Sequence, residues 1–414
     1  MTKLEIQADV KKKLGFDIDV NDIKSSIQGC VVKMTHPFIV MNFATRTGKS
    51  APALKIASEG KSICFTPQEL LHQTLKQEAV DRNINIPNLE FACYASSGKY
   101  VNTEYTTLWL DEGHSVTERN IEHFMLMKVK KIIVTSGTIP DDKMKLLYRL
   151  GKPKILKISI EDGINWKLIS PPKIYVVDRH LNALSMHTYE LGKDTNKKTV
   201  ECTFQEYLKI YKYQKGLKRP NLRIKCNELE YYRMFEECFE KYNWAFNQKG
   251  SNKEIIGNAR KQLGSKRKIW LNSLKTEYIK QLCKKLEGKR FIVFANNIKQ
   301  CEDVAQGKTT IHSENNKKDD EQAIIDFNAG IINELYTVNK VDAGITLYDF
   351  DAAIHGSLSG SEIQPLQRQG RSLASDFPII YIIKVPKTKD DDFFQEFKKS
   401  LDDSYFSFIN LKDI

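Results

Sequence analysis

The sequence lacks the features of a secreted, zinc-binding or membrane-spanning protein. Its 8 cysteines are scattered, with no Cys-x-x-Cys pair and no dense framework, so we expect reduced thiols rather than disulfides or metal ligands. No apolar run reaches the ~18 residues that a membrane span needs. The N-terminal stretch is basic, but no continuous apolar core follows it, so it does not resemble a secretory signal. These absences predict a cytoplasmic protein with no membrane contact.

Length and charge indicate several domains and one basic region. A chain of 414 residues is long enough for two or three domains with separate cores, and 41% hydrophobic residues argue against general disorder. Residues 201–290 hold 22 Lys and Arg against 10 Asp and Glu, an excess that equals the net charge of +12 of the whole chain. Such a localised basic region predicts contact with a polyanion, whereas a solvated lysine-rich surface is the alternative interpretation.

Short apolar runs alternate with helical patterns in both halves of the chain. Runs that are apolar on both faces are typical of buried parallel strands, and this alternation predicts an α/β fold with helices on both faces of its sheets. The predicted strands of the first half are residues 37–44, 62–67, 105–112 and 131–137. Those of the second half are residues 290–296, 309–313, 334–339, 352–356 and 378–385, with a helix over 321–330.

The region between the two halves has a different composition, rich in Lys, Arg, Tyr and Phe. Its stretch ELEYYRMFEECFEKYNWAF carries aromatic residues at helical spacing, namely Tyr231, Tyr232, Phe235, Phe239 and Tyr242. This spacing favours a packed helix face, and a platform on which nucleic-acid bases stack is the alternative.

The stretch ATRTGKS, residues 44–50, has the context of a phosphate-binding loop. A strand-like run precedes it and the helix-like APALKIA follows it. In such a loop the backbone N–H groups and the start of the helix face the phosphates. Lys49 is suited to contact the β- and γ-phosphates of a nucleotide, Ser50 to hold Mg²⁺, and Gly48 to let the backbone approach closely.

Two carboxylates end another strand-like run, LWLDEGH, and Asp111 follows Lys49 by 62 residues. Carboxylates at the end of a strand can coordinate Mg²⁺ and polarise an attacking water, as ATP hydrolysis requires. Asp111 suits the metal and Glu112 suits the base. Together with the loop, this pair predicts one site that binds ATP and Mg²⁺.

The order of these segments resembles the superfamily 2 helicases and translocases of the DExH type. ATRTGKS resembles motif I (Walker A), FTPQELLHQ motif Ia, DEGH motif II and TSGT motif III. In the second half, FIVFANNIKQCEDVA resembles motif IV, VNKVDAGITLYDFDAAIH motif V and QPLQRQGR motif VI. The resemblance implies RecA-like domains over residues 1–165 and 266–414, separated by a basic, mainly helical insertion over 166–265 that contacts nucleic acid.

The resemblance also implies roles for individual residues in a cleft that binds ATP and Mg²⁺ between the two RecA-like domains. The implied ATP-binding residues are Thr45, Arg46, Thr47, Gly48, Lys49, Ser50, Gly344 and Arg368, and the implied Mg²⁺ ligands are Ser50 and Asp111. The implied catalytic residues are Asp111, Glu112, Gln367 and Arg371, with Arg371 as an arginine finger. The implied coupling residues are His114, Ser136, Thr138 and Thr346. A cation supplied only when the domains close would tie ATP turnover to motion.

Three residues depart from the motif patterns. Phe43 takes the first glycine position of the phosphate loop, Arg46 stands where such loops usually have glycine, and Ala374 stands where motif VI usually has a second arginine. Loss of an arginine finger can lower turnover by ~10³-fold or more. The sequence leaves open whether Arg371 suffices, another basic residue substitutes, or the enzyme is slow.

Four segments resemble the DNA-directed side of the superfamily, and within it the short length and lysine-rich composition favour the compact UvsW-like helicases of bacteriophages. The four segments are DEGH, QRQGR, SPPKIYVVD and GNARKQLGSKRKIWLNSL. The resemblance implies an ATPase in the host cytoplasm that moves on or remodels branched DNA and grips it through phosphates, without sequence specificity.

Three other functions remain open. An RNA helicase of the same superfamily is one, because the 2′-OH contacts that identify RNA cannot be recognised in a sequence. A nucleic-acid-binding protein with a weakened ATPase is another, motivated by the departures from the motifs. A phage packaging motor is the third, but it would need a carboxylate-rich nuclease domain in the C-terminal half. That half carries QRQGR instead. The sequence does not identify a protein partner.

Overall fold

The computed structural model describes residues 1–192, 195–211, 220–248, 252–338, 347, 350–358, 379–399 and 401–413. Within these ranges the strands form two large sheets and one small sheet. All strand pairs in the two large sheets are parallel, and helices flank both sheets. The predicted α/β class is therefore confirmed.

The first sheet is built from the N-terminal part of the chain. Its strands are β1 (Phe38–Phe43), β2 (Ser62–Thr66), β3 (Leu89–Cys93), β4 (Glu104–Asp111), β5 (Lys128–Ser136) and β6 (Lys154–Ile158). Its helices are α1 (Lys3–Leu14), α2 (Ile23–Val32), α3 (Ser50–Ala57), α4 (Leu70–Asp81), α5 (Glu118–Met125), α6 (Asp141–Leu147) and α7 (Ile160–Asn165). The strand order is β3-β2-β4-β5-β1-β6. The inner strands β1 and β2 are buried almost throughout, as their continuous apolar runs predict.

Strand register brings the ends of the central strands of this sheet to one level. Thr135 of β5 pairs with Met41 of β1 on one side and with Asp111 of β4 on the other. Because the strands are parallel, the loops that follow β1 and β4 leave from the same edge of the sheet. The phosphate-loop sequence and the Asp-Glu pair therefore emerge side by side.

The second sheet contains one strand from much earlier in the chain. Its strands are β7 (Lys173–Asp178), β11 (Phe291–Phe294), β12 (Thr310–Ile311), β13 (Glu334–Thr337), β14 (Ala352–His355), β15 (Ile379–Lys384) and β16 (Phe406–Ile409). Its helices are α11 (Thr276–Lys285), α12 (Ile298–Ala305), α13 (Lys317–Asn328) and α14 (Lys389–Lys398). The order is β12-β13-β11-β14-β15-β7-β16, so β7 lies between the last two strands. The segment that contains β7 was expected in the middle region, but its strand belongs to the second sheet, because its apolar side chains Ile174 and Val176 pack into that sheet's core.

The middle region forms a small unit of its own, with β8 (His187–Leu191), β9 (Thr199–Thr203), α8 (Phe204–Glu206), β10 (Asn221–Cys226), α9 (Glu228–Asn247) and α10 (Lys253–Ser273). Its two long helices are α9 and α10. The sheet β8-β10-β9 was not predicted, because its strands are short and carry many exposed polar residues.

The aromatic residues of α9 form a packed face rather than an open platform. Tyr231 stacks on Tyr189 of β8 with ring centroids 3.8 Å apart, and Trp270 of α10 lies edge-on to Tyr231 at 5.1 Å. Phe235 is buried, and Arg267 of α10 lies over the Phe239 ring, at 4.1 Å from its centroid. The prediction of a packed helix face is confirmed for these positions.

The middle unit is anchored to the second sheet's domain. Arg179, just after β7, forms a two-pronged ion pair with Glu228 at the start of α9. The Lys389 backbone N–H of α14 donates to the Tyr232 hydroxyl at 2.8 Å. In the described ranges, no helix combines the length and the apolar character that crossing a membrane requires.

Candidate active site

The loop after β1 forms a tight turn that leads into α3. The Thr47 side chain is 3% exposed, and its hydroxyl donates to the Ala44 carbonyl at 2.7 Å, which closes the turn. Two residues of the loop have left-handed backbone, Arg46 with φ +73° and Gly48 with φ +91°. Glycine adopts this conformation freely, whereas a residue with a Cβ atom loses about 1–2 kcal/mol in it. The loop keeps the turn of a phosphate-binding loop despite the arginine.

Gln28 of α2 braces the loop from outside. Its side-chain Nε2 donates to the Gly48 carbonyl at 2.9 Å, and a Cβ atom at Gly48 would lie only 2.3 Å from that nitrogen. Glycine is therefore favoured here by its φ angle, and a Cβ atom would also displace the Gln28 side chain from its hydrogen bond. Sequence reasoning missed Gln28, because no pattern in α2 shows which of its side chains faces a loop 20 residues later.

Asp111 and Glu112 lie at the end of β4 and are 5% and 7% exposed. The Thr135 hydroxyl of β5 donates to Asp111 Oδ1 at 2.6 Å, and the Trp109 indole N–H donates to that hydroxyl oxygen at 2.8 Å. The Tyr94 hydroxyl donates to the Asp111 carbonyl at 2.8 Å. These bonds fix both the side chain and the backbone of Asp111, so the carboxylate is held in one orientation.

The electrostatics of the pair favour a bound cation. Burial, followed by the negative charge of neighbouring Glu112, raises the pKa of Asp111 to about 6. The charge of Lys49 opposes this rise, and its Nζ lies 4.0 Å from Glu112 Oε1. A cation next to the carboxylates would favour the ionised form of Asp111. Mg²⁺ suits this oxygen donor set, since it is bound in proteins by one or two carboxylates together with water and phosphate oxygens.

The predicted coupling residues of the first domain are connected to the Asp-Glu pair. His114 Nδ1 lies 2.9 Å from Ser136 Oγ and 3.4 Å from Glu112 Oε2. The Ser136 hydroxyl donates to the Thr138 carbonyl at 2.9 Å, so the ring nitrogen of His114 is the donor toward Ser136. A continuous path therefore runs from Glu112 through His114 and Ser136 to the loop at Thr138.

A cavity of about 770 Å³ opens beside the loop and is lined by residues of both large domains. This volume is within the range of small-molecule sites. From the first domain it includes Thr45, Lys49 and Ser50, and from α13 of the second domain it includes Glu321 and Asn328. The structure thus gathers most of the predicted ATP-binding residues of the first domain around one cleft, whereas Thr47 is buried in the turn and is not among the lining residues.

Further cations line the same cavity. Lys24 of α2 and Arg82 after α4 face it together with Arg46 and Lys49. Burial lowers the pKa of Lys24, and the positive charges of Arg82 and Arg46 lower it further. Cations crowded in this way repel one another, which a bound polyanion would relieve. Neither Lys24 nor Arg82 was singled out from the sequence.

The predicted site residues of the second domain, Gly344, Thr346, Gln367, Arg368 and Arg371, lie outside the described residues, as does Ala374. Leu347, which follows Thr346, is described. Its carbonyl accepts a hydrogen bond of 2.8 Å from Arg46 Nη2. The phosphate loop of the first domain therefore contacts the second domain directly.

Comparison with known proteins agrees with this arrangement. Residues 274–373 match the family described as the helicase conserved C-terminal domain. No curated protein matches the sequence significantly.

Several solved structures are similar to this chain at low sequence identity. S. cerevisiae Dbp5 bound to RNA and ADP BeF3 has 10% identity and a TM-score of 0.58, and a point variant of it with the same ligands has 10% identity and a TM-score of 0.60. Each alignment covers 99% of this chain and 94% of the other. The Pyrococcus furiosus Hef helicase domain has 12% identity and a TM-score of 0.47, with 90% of this chain and 96% of the other covered.

The Dbp5 likeness shows a fold of two RecA-like domains. The family match falls on the part of the chain that carries the segments resembling motifs IV, V and VI. Together, the family match and the fold support a superfamily 2 helicase, which is a nucleic-acid-dependent ATPase.

Proposed function

We propose that the protein is an ATP-dependent helicase or translocase that couples ATP hydrolysis in the cleft to movement on, or remodelling of, nucleic acid. The observation that carries the proposal is the convergence of Lys49 with the buried Asp111 and Glu112 at one sheet edge, where Lys49 Nζ is 4.0 Å from Glu112 Oε1. A braced phosphate loop next to a fixed carboxylate pair has the parts that phosphoryl transfer to water requires.

In the proposed mechanism each residue of the cleft has a separate task. The loop backbone and Lys49 bind and orient the triphosphate, with Thr45 and Thr47 shaping the turn. Ser50 and Asp111 would hold Mg²⁺, which supplies charge neutralisation at the phosphates when bound. Glu112 accepts a proton from the attacking water. We assign the water-activating base to Glu112 because its buried carboxylate lies 4.0 Å from Lys49 Nζ, which would contact the phosphates, and it also contacts His114.

The second domain would complete the cleft. Gly344, Arg368 and Gln367 would contact the nucleotide, Thr346 would couple it to domain movement, and Arg371 would supply a cation when the domains close. This assignment rests on the resemblance of their motifs to those of superfamily 2, and the family match over residues 274–373 supports it.

The basic middle unit would hold the nucleic acid through its phosphates. On α10, Lys261 and Lys266 are exposed, and Trp244 near the end of α9 is 65% exposed. Contacts of lysine with phosphates weaken steeply with salt and do not read sequence. We propose branched DNA as the track and the cytoplasm of a phage host as the location. The proposal is supported by the likeness of DEGH and QRQGR to the DNA-directed side of the superfamily and by the short, lysine-rich chain.

RNA is the second candidate track. The observation in its favour is that the similar Dbp5 structures are bound to RNA. Their low identity shows the fold alone, and the two tracks call for the same cleft chemistry.

Steady-state ATP hydrolysis tests the proposal and separates the tracks. Rates are measured alone and with single-stranded, duplex and forked DNA and with RNA, and Lys49→Ala serves as the blank. Stimulation of the wild type by DNA above RNA supports the DNA motor, and stimulation by RNA alone selects the alternative. If the wild type does not exceed the blank with any of them, the proposed function is wrong.

A further inference from the structure

Arg46 adopts a backbone conformation that a glycine would occupy without strain. Seven described residues other than glycine have positive φ, and two of them, Arg46 and Glu112, lie in the candidate active site. Strained backbone of this kind persists where the surroundings hold it in place, and it concentrates at functional sites. The arginine side chain must therefore contribute something that a glycine in this loop cannot.

The Arg46 side chain joins the two large domains. Its Nη2 donates to the Leu347 carbonyl at 2.8 Å, across 301 residues of sequence. The Leu347 side chain is fully buried and packs in one cluster with Phe327 and Leu335 of the second sheet's core. The accepting carbonyl is thus anchored to the second domain, and the hydrogen bond connects that core to the phosphate loop.

The same guanidinium lies among the groups that would surround a polyphosphate. Arg46, Lys24 and Lys49 line one cavity. A guanidinium can bind a phosphate through two parallel hydrogen bonds between opposite charges, whereas it bonds a neutral carbonyl oxygen without that attraction between charges. A carbonyl such as that of Leu347 is neutral, so the phosphates of a bound nucleotide compete for Arg46 with an advantage.

We propose that Arg46 is a positioning residue that holds the Leu347 segment of the second domain to the nucleotide-free phosphate loop, and exchanges the Leu347 carbonyl for phosphate oxygens when a nucleoside triphosphate binds. Arrival of the triphosphate then releases the second domain from the loop, and this release sets the domain free to close in its catalytic arrangement. The inference rests on the proposed function and adds to it a contact that a glycine-type loop does not have.

Hydrogen exchange of peptides that contain Leu347 tests the contact through local opening of this part of the chain, since the bonded group of Leu347 is a carbonyl. The wild type and Arg46→Ala are compared in the full chain, with and without the Mg²⁺ complex of a non-hydrolysable ATP analogue. Without nucleotide, we expect the wild-type peptide to be about tenfold more protected than in Arg46→Ala, because one charge-assisted hydrogen bond is lost. The analogue is expected to remove this protection in the wild type and to change little in the variant.

Arg46→Gly is the matched control for backbone strain. Both variants lose the guanidinium, but only glycine relieves the left-handed backbone, so its Tm should exceed that of Arg46→Ala by about 2 °C. Both should show the same fast exchange at Leu347, and in both the ratio of nucleic-acid-stimulated to unstimulated ATP hydrolysis should fall toward one. A merely structural arginine would not link these readouts.

Three outcomes overturn the inference, and only the third also overturns the proposed function. Equal exchange in the wild type and Arg46→Ala without nucleotide shows that the contact does not hold the second domain. Unchanged wild-type protection with the analogue, in a protein that hydrolyses ATP, refutes the exchange of partners while the ATPase stands. A wild type that neither binds the analogue nor hydrolyses ATP refutes the exchange and the proposed function together.

Discussion

Replacing Asp111 by Asn removes a buried charge from the end of β4 while keeping the shape of the side chain and its bond from Thr135. The pKa of Asp111 is raised from 3.8 to about 6, first by burial and then by the charge of Glu112. The folded state therefore resists ionisation of this group more than the unfolded chain does. Each unit of pKa corresponds to about 1.4 kcal/mol, so the ionised carboxylate lowers the free energy of unfolding by about 3 kcal/mol above pH 6.

The sign of the pH dependence follows from the same values. A carboxyl group with a raised folded pKa costs nothing below pH 3.8, where both states are protonated, and its cost grows until pH 6. Asp111→Asn should thus be more stable than the wild type by about 3 kcal/mol at pH 8 and by about half as much at pH 5. The variant should also lose the stabilisation that Mg²⁺ and ATP give the wild type.

Urea unfolding of the full chain without metal or nucleotide, at pH 5 and pH 8, provides the measurement. Hydrogen exchange of peptides from β4 and β5 isolates the transition of the first domain. If Asp111→Asn raises the free energy of unfolding equally at the two pH values, or does not raise it at pH 8, then Asp111 is not a buried carboxylate whose ionised form destabilises the folded protein.

Three further predictions concern the base, the track and the second domain. Glu112→Gln should still bind ATP, measured with a fluorescent analogue, but hydrolyse it about 10²–10⁴-fold more slowly; undiminished turnover would exclude Glu112 as the base. Lys261→Ala and Lys266→Ala should each weaken nucleic-acid binding and reduce the slope of log K against log salt by about one, and an unchanged slope would place the track elsewhere. Lys275→Met leaves the buried Asp390 without its ion-pair partner, which lies at 2.8 Å, so urea unfolding should show a loss of about 3–5 kcal/mol. A loss below 1 kcal/mol would mean that water reaches Asp390.

The parts of the fold that the sequence predicts are the inner strands. β1, β2 and β4 are apolar on both faces because helices cover both sides of the sheet, and that continuous run is visible in sequence. β3 and β6 form the two edges of the first sheet, where half-exposed strands carry polar residues, and they were not predicted. Whether a strand lies at the edge of a sheet depends on the topology of the sheet, which the local sequence of the strand does not show.

The residues of the candidate site also fall into a group that the sequence predicts and a group that it does not. Lys49, Asp111 and Glu112 belong to short motifs that follow strand-like runs. Because parallel strands end at the same edge of a sheet, the sequence predicts that these residues lie close together. Gln28 of α2 reaches the loop and Arg82 at the end of α4 reaches the cavity, and only tertiary packing decides which side chains of these helices face inward. The roles of residues in motifs V and VI stay predictions.

The position of β7 has a consequence for folding during translation and for the design of truncated fragments. The second domain takes its strand 173–178 long before the rest of its sheet is synthesised, and β16 pairs with β7. During translation β7 cannot form its native strand pairs until β15 and β16 have left the ribosome, some 200 residues later. A fragment that begins after the middle unit would keep the matched family segment but lack β7, leaving two exposed strand edges that invite aggregation.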